Sequence, residues 1–249
     1  RNQFYRAHKM SFLCCCFAST PPTDVKAKGR AGGKYSAIVA LQDRPNEFQT
    51  NLCNAPCASP GCCLITGLCP CCLAGKHRQD SLDTLGNGIQ DYVCCQGYVP
   101  KCCCCDFPNM CKGSACGLWC ESCCCDTLSL SFSRIYVMDK KDLHPDPVDY
   151  QIIAFSNCMQ MLSCFCHILA MVESSFRELA QIIDMIAEIV ERCVSGCMGA
   201  QIQLELAHTK SGGPPKVSAA PSAGGAPALA ITDGNEKCMV EVANVIVRD

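Results

Sequence analysis

The sequence lacks an excess of charge of either sign. Its 249 residues carry 21 lysines and arginines against 23 aspartates and glutamates, which gives a formal net charge of -2. Proteins that bind nucleic acid attract it with a strongly basic field. The sequence therefore predicts no nucleic-acid partner.

Histidine is scarce, with five residues in the whole chain. None lies in a zinc-hydrolase string such as H-E-x-x-H, and no G-x-S-x-G nucleophile elbow is present. A thiol enzyme needs one activated cysteine beside a base, and the spacing singles out none of the 28 cysteines. We therefore expect a protein that is not an enzyme.

The start of the sequence lacks the pattern of a secretory signal peptide, which combines basic residues, a long apolar run and a small-residue cleavage site. Met10 opens a plausible reading frame, and residues 1–9 then represent an extension. We expect a cytoplasmic location, with peripheral attachment to a membrane as the alternative. Disulfide bonds lose their usual support in that compartment.

Cysteine is present in excess, and the excess is local. Nineteen of the 28 cysteines lie between Cys53 and Cys125. Residues 1–35 predict a flexible tail, and a short strand is expected at 36–41. The next stretch has many Gly and Pro residues and little periodicity. Residues 36–139 therefore predict a small cysteine-rich, loop-rich module, stapled by metal ions or disulfides. With the helical hairpin that follows it, the chain is expected to be mostly α with irregular segments.

Three features of this module form a pattern. Residues 63–71 read C-L-x-x-x-x-C-P-C, and an aromatic–Gln pair at residues 48–49 shortly precedes the first cysteine of the module. A later pair, Cys120 and Cys123, is followed at a distance by Arg134. The pattern resembles that of the placenta-specific-gene-8 type cysteine-rich family, which includes plant fruit-weight and cadmium-resistance proteins.

The resemblance covers roughly residues 47–138 and implies a cysteine-rich module. Members of the family are associated with membranes, organ-size control and heavy-metal resistance. The cysteine run at 102–105, the additional Cys111 and Cys116, and the C-terminal half of the chain have no counterpart in the short members. The resemblance therefore implies the module and not the function of any one member.

Closely spaced thiols are ligands that zinc prefers. Zinc takes four ligands with Zn–S distances near ~2.3 Å, and cysteines one to four residues apart can share an ion. We predict a structural zinc site among Cys53, Cys57, Cys62, Cys63, Cys69, Cys71, Cys72, Cys94, Cys95, Cys120 and Cys123. Because successive side chains diverge, each adjacent pair of cysteines is expected to serve two sites, or one site and the core.

Two alternatives to zinc ligation stay open for these cysteines. One is a disulfide network, whose connectivity is not deducible from sequence. The second is that about half of the 19 thiols are small buried hydrophobes, since free cysteine is among the most buried residue types.

The N-terminal cluster Cys14, Cys15 and Cys16 is flanked by apolar residues, including Phe17. Such a cluster is typical of reversible acylation such as palmitoylation, and two or three chains would give a stable membrane anchor. The alternative is an apolar tail that docks on a partner or on the protein's own core.

Residues 150–209 predict an amphipathic α-helical hairpin. Residues 151–172 are apolar over about the ~20 residues that cross a bilayer, yet they contain several polar side chains, so we expect a buried soluble helix. In the second helix, apolar residues recur at three and four residues. We expect Leu179, Ile182, Ile186 and Ile189 to be buried against Met161, Phe165 and Ile168.

The segments around the hairpin are also interpretable. Aspartates on either side of Pro145 and Pro147 predict a solvated turn that caps the first helix. The second helix is expected to stop at Ser211. Residues 210–249 predict a Pro/Gly/Ala linker and a tail, with one weak strand at 239–247.

These features predict a non-enzymatic structural or interaction protein, a zinc-stapled accessory subunit. Its partner is expected to be a protein of a larger or membrane-associated assembly, or a second copy of the chain. One alternative is an oligomeric membrane protein in heavy-metal transport. Another is a thiol redox or metal-buffering protein.

Overall fold

The computed structural model describes Phe17 and residues 44–98, 111–144 and 146–217. Most of these residues lie in α1 Ala55–Ala58, α2 Pro60–Leu68, α3 Pro70–Leu85, α4 Ala115–Cys124, α5 Asp126–Lys140, α6 Pro147–Val172 and α7 Arg177–Lys210. Short 3-10 turns occupy Gly88–Asp91, Cys94–Gly97 and Ser174–Phe176. Strands β1 Asn46–Glu47 and β2 Lys216–Val217 pair antiparallel.

Several predictions from sequence lie outside the described residues. They concern the cluster Cys14, Cys15 and Cys16, the cysteine run at 102–105, and the strands expected at 36–41 and 239–247.

The cysteine-rich segment is helical, which corrects the prediction of a loop-rich module. Pro60 opens α2 and Pro70 opens α3, and the residue before each proline lies outside the helical region of backbone conformation. Proline fits the first position of a helix because the N–H there has no acceptor within the helix. The prolines that suggested loops are therefore helix starts.

The helix α7 is the element around which the others pack. It contacts α1, α2, α3 and α5 as well as α6. Val194, Met198, Ile202 and Leu206 recur every fourth residue and face one hydrophobic core. That core also includes Leu52, Ala74, Leu130, Phe132, Ile135, Val137, Met138 and Ile153. The core is thus shared between the cysteine-rich segment and the C-terminal helices.

A buried polar network ties this core together. Arg134 Nη2 donates to Asp149 Oδ2 at 2.8 Å, and Arg134 Nε donates to Gln201 Oε1 at 2.8 Å. Asp149 Oδ1 accepts from the Leu52 backbone N–H at 2.8 Å. The Phe48 ring lies 5.0 Å from the guanidinium carbon of Arg134. Each buried charge therefore has a partner, which such a pair needs.

The aspartates before α6 have different roles. Asp146 caps α6, because its Oδ1 accepts from the Val148 N–H at 2.8 Å. This confirms the predicted helix cap. Asp149 is fully buried and paired with Arg134, so the expectation that it lies in a solvated turn is wrong.

α6 and α7 form the predicted helical hairpin, and α7 ends at Lys210, one residue before the expected stop. Its apolar stripe, however, faces outward. The exposed large side chains are Phe155, Met161, Leu162, Phe165, Ile168, Leu179, Ile182, Met185, Ile186 and Ile189. Phe165 is 56% exposed and Ile182 is 52% exposed. The expectation of a buried stripe, and of a buried helix over residues 151–172, is therefore wrong.

Small and polar side chains occupy the interface between α6 and α7 instead. Ser163 Oγ donates to Asp184 Oδ1 at 2.7 Å, and Gln160 Nε2 donates to the Ala187 carbonyl at 3.2 Å. Polar groups buried without a hydrogen bond cost free energy. Because these side chains satisfy one another, they lie between the helices, and the large apolar residues are left outside.

Candidate metal centre

The described cysteines lie mostly at or near the surface. Cys166 is the one buried cysteine among them. A thiol that packs as a small hydrophobe is expected to be buried. The interpretation that about half of the module's thiols are core residues is therefore wrong for those that the structure describes. Most of these residues are at least partly exposed to solvent.

Three thiols converge at the start of α3. The sulfurs of Cys69, Cys71 and Cys72 all lie within 4.8 Å of one another, and the Cys71 and Cys72 sulfurs are 4.0 Å apart. Two thiolates on a tetrahedral zinc ion with ~2.3 Å bonds stand about 3.8 Å apart. The spacing therefore suits one ion. The adjacent side chains of Cys71 and Cys72 thus do not diverge, whereas divergence is the reason to expect that neighbouring cysteines serve different sites.

The local sequence accounts for this convergence. Cys69 is the N-cap residue of α3, Pro70 opens the helix, and Cys72 is its third residue. In such a first turn, the side chain of the cap residue lies near the third residue of the helix. The end of a helix that carries unpaired N–H groups also favours negative charge. The start of α3 is thus suited to hold thiolates.

The electrostatics of the cluster favour one thiolate. The pKa of Cys69 is lowered, mainly by a hydrogen bond from the Cys72 thiol, with further contributions from the Cys72 backbone N–H and from Arg192. The same hydrogen bond raises the pKa of Cys72 to about 12. Cys69 therefore ionises before Cys72, and a metal ion would displace the proton that Cys72 retains.

A second group of ligand atoms lies between α3, α4 and the 3-10 turn at Cys94–Gly97. It comprises Cys94, Cys95 and Glu121, all within 4.8 Å. The Glu121 carboxylate accepts from Arg78 at 2.7 Å, from the Tyr92 hydroxyl at 3.0 Å and from the Cys95 backbone N–H at 2.9 Å. Its oxygens are thus already engaged.

This second group fits a structural ion pair better than a metal. Arg78 is fully buried beside Glu121, and its positive charge opposes a cation at the same place. Burial is the main cause that raises the pKa of Cys94 and that of Cys95. Both thiols therefore stay protonated, whereas the pKa of Cys69 moves in the opposite direction.

Cys62 and Cys63 have different surroundings on α2. The Cys62 sulfur lies 3.8 Å from Thr66 Oγ1 and 3.9 Å from His77 Nε2, and burial raises its pKa. A hydrogen bond from the Cys197 thiol lowers the pKa of Cys63 to about 7. Within the described chain, neither residue belongs to a group of three converging ligands.

The remaining predicted ligands do not converge either. Across the ranges that the structure describes, no group of three ligand atoms within 4.8 Å includes Cys53, Cys57, Cys120 or Cys123. Cys120 and Cys123 are exposed on α4. The structure thus brings together Cys69, Cys71 and Cys72 from the predicted set, and Cys94 with Cys95.

Two charged residues that lie beside candidate cysteine ligands are not predictable from the sequence. Glu121 stands between Cys120 and Cys123 in sequence, yet its carboxylate meets Cys95, 26 residues away. Arg192 acts on Cys69 from α7. No local spacing links these pairs, because the packing of α3, α4 and α7 creates them.

Comparison of the chain with protein-family models, with curated proteins and with solved structures found no match. The resemblance to the placenta-specific-gene-8 type family therefore stays a prediction.

Proposed function

We propose that this chain is a non-enzymatic structural protein that binds a thiophilic divalent ion, with zinc as the physiological candidate, through Cys69, Cys71 and Cys72. The observation that carries the proposal is the convergence of three sulfurs within 4.8 Å. Soft thiolate ligands select zinc and related ions over magnesium or calcium. The bound ion would cross-link three neighbouring residues at the start of α3. The rest of the protein would then be free to act as an accessory subunit.

A second candidate function is the buffering of exchangeable metal. Its support is the position of the cluster, since Cys72 is exposed and Cys69 and Cys71 are half-buried. Zinc sites that keep an open fourth position use three protein ligands, whereas structural sites are closed by four. A trithiolate at the surface leaves that position to water or to an incoming ligand, which favours exchange.

The direct test is a titration of the reduced chain with Cd²⁺, in which binding is measured by the ultraviolet charge-transfer absorption of metal thiolates. We expect Cys72→Ser to remove one equivalent of bound ion relative to the unmodified chain, because one of three ligands is lost. Proton release on binding, measured in weak buffer, is expected to fall in the same variant.

Cys123→Ser is the matched control, because it removes an exposed thiol that belongs to neither described ligand group. Its stoichiometry is expected to equal that of the unmodified chain. Equal loss in the two variants would show unspecific thiol binding and would contradict the site. The rate at which a chelator removes zinc then separates buffering, which is fast, from a structural role, which is slow.

A further inference from the structure

We propose that the hairpin of α6 and α7 docks on the surface of a bilayer of zwitterionic lipids, lying in the plane of the membrane with its apolar outer surface among the acyl chains. The hairpin contains none of the three ligands of the proposed metal site.

The apolar surface of the hairpin is broad. On α6, Met161 and Leu162 are adjacent and both exposed, as are Met171 and Val172. Adjacent helical residues point about 100° apart. The apolar surface of α6 is therefore wider than a single stripe. Soluble proteins rarely expose contiguous apolar patches beyond a few hundred Å², and larger ones mark interaction sites.

Several polar side chains of α6 are directed inward. Ser163 bonds to Asp184 at 2.7 Å, and His167 Nε2 lies 3.5 Å from Asp184 Oδ1. The side chain of Asn157 donates to the Phe17 carbonyl at 2.9 Å and accepts from its N–H at 2.8 Å. Asn157 and Ser163 of α6 thus make their hydrogen bonds within the protein, as an apolar solvent requires.

The length and composition of α6 also suit contact with lipid. Its best 18-residue window has a mean hydropathy of 1.6, and 22% of that window is buried. No charged residue lies between Phe155 and Val172. That stretch is about 27 Å long at ~1.5 Å per residue. A water-soluble core helix of this composition would be mostly buried, and this one is not.

The positions of the polar residues on α7 indicate how the hairpin is oriented relative to the membrane. Gln181, Glu188 and Arg192 are exposed, and their spacing of seven and four residues places them on one side of the helix. Leu179, Ile182, Ile186 and Ile189 share another side. A spanning hairpin would put Glu188 in hydrocarbon, where a charge is costly. An in-plane hairpin keeps it in water, as amphipathic helices at interfaces do.

The net charge of the hairpin indicates which lipid headgroups it can approach. Between Glu173 and Arg192 the chain has five carboxylates and two guanidinium groups. Interfacial helices that bind anionic lipids carry lysine and arginine on the polar face. An acidic hairpin is repelled by such a surface. The expected partner is therefore a zwitterionic membrane.

The test uses the full chain and flotation with phosphatidylcholine vesicles. We expect the unmodified protein to float with them, and to float less when phosphatidylserine is added. Ile182→Asp is expected to weaken flotation at least tenfold. Gln181→Asp is the control, because it places the same charge one residue away on the polar side and is expected to leave flotation unchanged. Circular dichroism checks that both variants fold.

The depth of each face is measured with single tryptophans in a Trp119→Phe background and lipids brominated on their acyl chains. Phe165→Trp is expected to be strongly quenched and Gln181→Trp weakly quenched. Equal deep quenching at both positions would mean a spanning hairpin. Absence of flotation, with a dimer in sedimentation equilibrium, would assign the apolar surface to a second copy of the chain. Either result overturns the proposal.

Discussion

His77 shows how one residue couples the helices of the core. Its Nε2 lies 3.2 Å from Thr66 Oγ1 on α2, and Gly199 of α7 approaches both residues closely. Burial lowers the pKa of His77 to about 4. The imidazole is therefore neutral in the folded protein over a pH range in which an unfolded chain would already protonate it.

This residue predicts a pH dependence of stability. Since the pKa of His77 is about 4 when folded and near 6.5 when unfolded, the unfolded state binds more protons between these values. The free energy of unfolding is expected to fall as the pH drops from 6.5 towards 4, by up to roughly 3 kcal/mol. Urea denaturation at several pH values measures the loss.

His77→Gln serves as the control, because glutamine retains a hydrogen-bonding side chain and does not titrate in this range. The variant is expected to lose part of its stability at pH 7 and to flatten the pH dependence between 6.5 and 4. An unchanged slope would mean that other groups cause it.

At the scale of elements, the crossing of α2 and α7 depends on glycine. A Cβ added to Gly196 would lie 2.5 Å from the Cys63 carbonyl oxygen, and one added to Gly199 would lie 2.6 Å from Thr66 side-chain atoms. Real atoms do not approach that closely. The two helices therefore meet with their backbones nearly in contact, which places Cys63 beside Cys197.

A pair of substitutions tests this crossing. Gly196→Ala is expected to destabilise the protein by about 1–3 kcal/mol, because the neighbour in its way is backbone and must move. Gly61→Ala, on the exposed side of α2, meets nothing within 4 Å. It is expected to be neutral or to stabilise by up to about 1 kcal/mol through helix propensity. Thermal denaturation of both variants gives the comparison, and equal effects would contradict the close crossing.

At the scale of the whole molecule, the described helices share an ordinary hydrophobic core. Fully buried apolar side chains such as Leu52, Leu130, Met138 and Ile153 come from different segments of the chain. Burial of each such side chain contributes about 1.5–3 kcal/mol. We therefore expect the apolar core, and not a metal or disulfide staple, to supply most of the folding free energy.

This core predicts that the fold survives loss of metal. Treatment with a chelator together with a reductant is expected to leave the helical circular dichroism signal intact and to shift the melting temperature by no more than a few degrees. A zinc finger would unfold under the same treatment, because there the metal supplies the folding free energy. Loss of most of the helical signal would show that the cysteines, and not the apolar core, hold the protein together.

The sequence by itself determined the features that depend on neighbouring residues. Asp146 and Pro147 start α6, and a Gly/Pro-rich stretch follows the end of α7 at Lys210. The convergence of Cys69, Cys71 and Cys72 is also local, because cysteines at the start of a helix lie within one turn. Such features follow from capping, helix geometry and short spacing, which the order of residues specifies.

Only the tertiary structure decided which partners distant residues find. Glu121 pairs with Arg78, and Asp149 pairs with Arg134, through the packing of separate helices. It also decided which face of the hairpin is covered. The periodic spacing of apolar residues shows that Ile182 and Ile186 share a face of the helix. It does not show whether that face packs against another element or is exposed. In this protein, polar side chains of α6 and α7 form hydrogen bonds with each other between the two helices, and the apolar stripe is exposed.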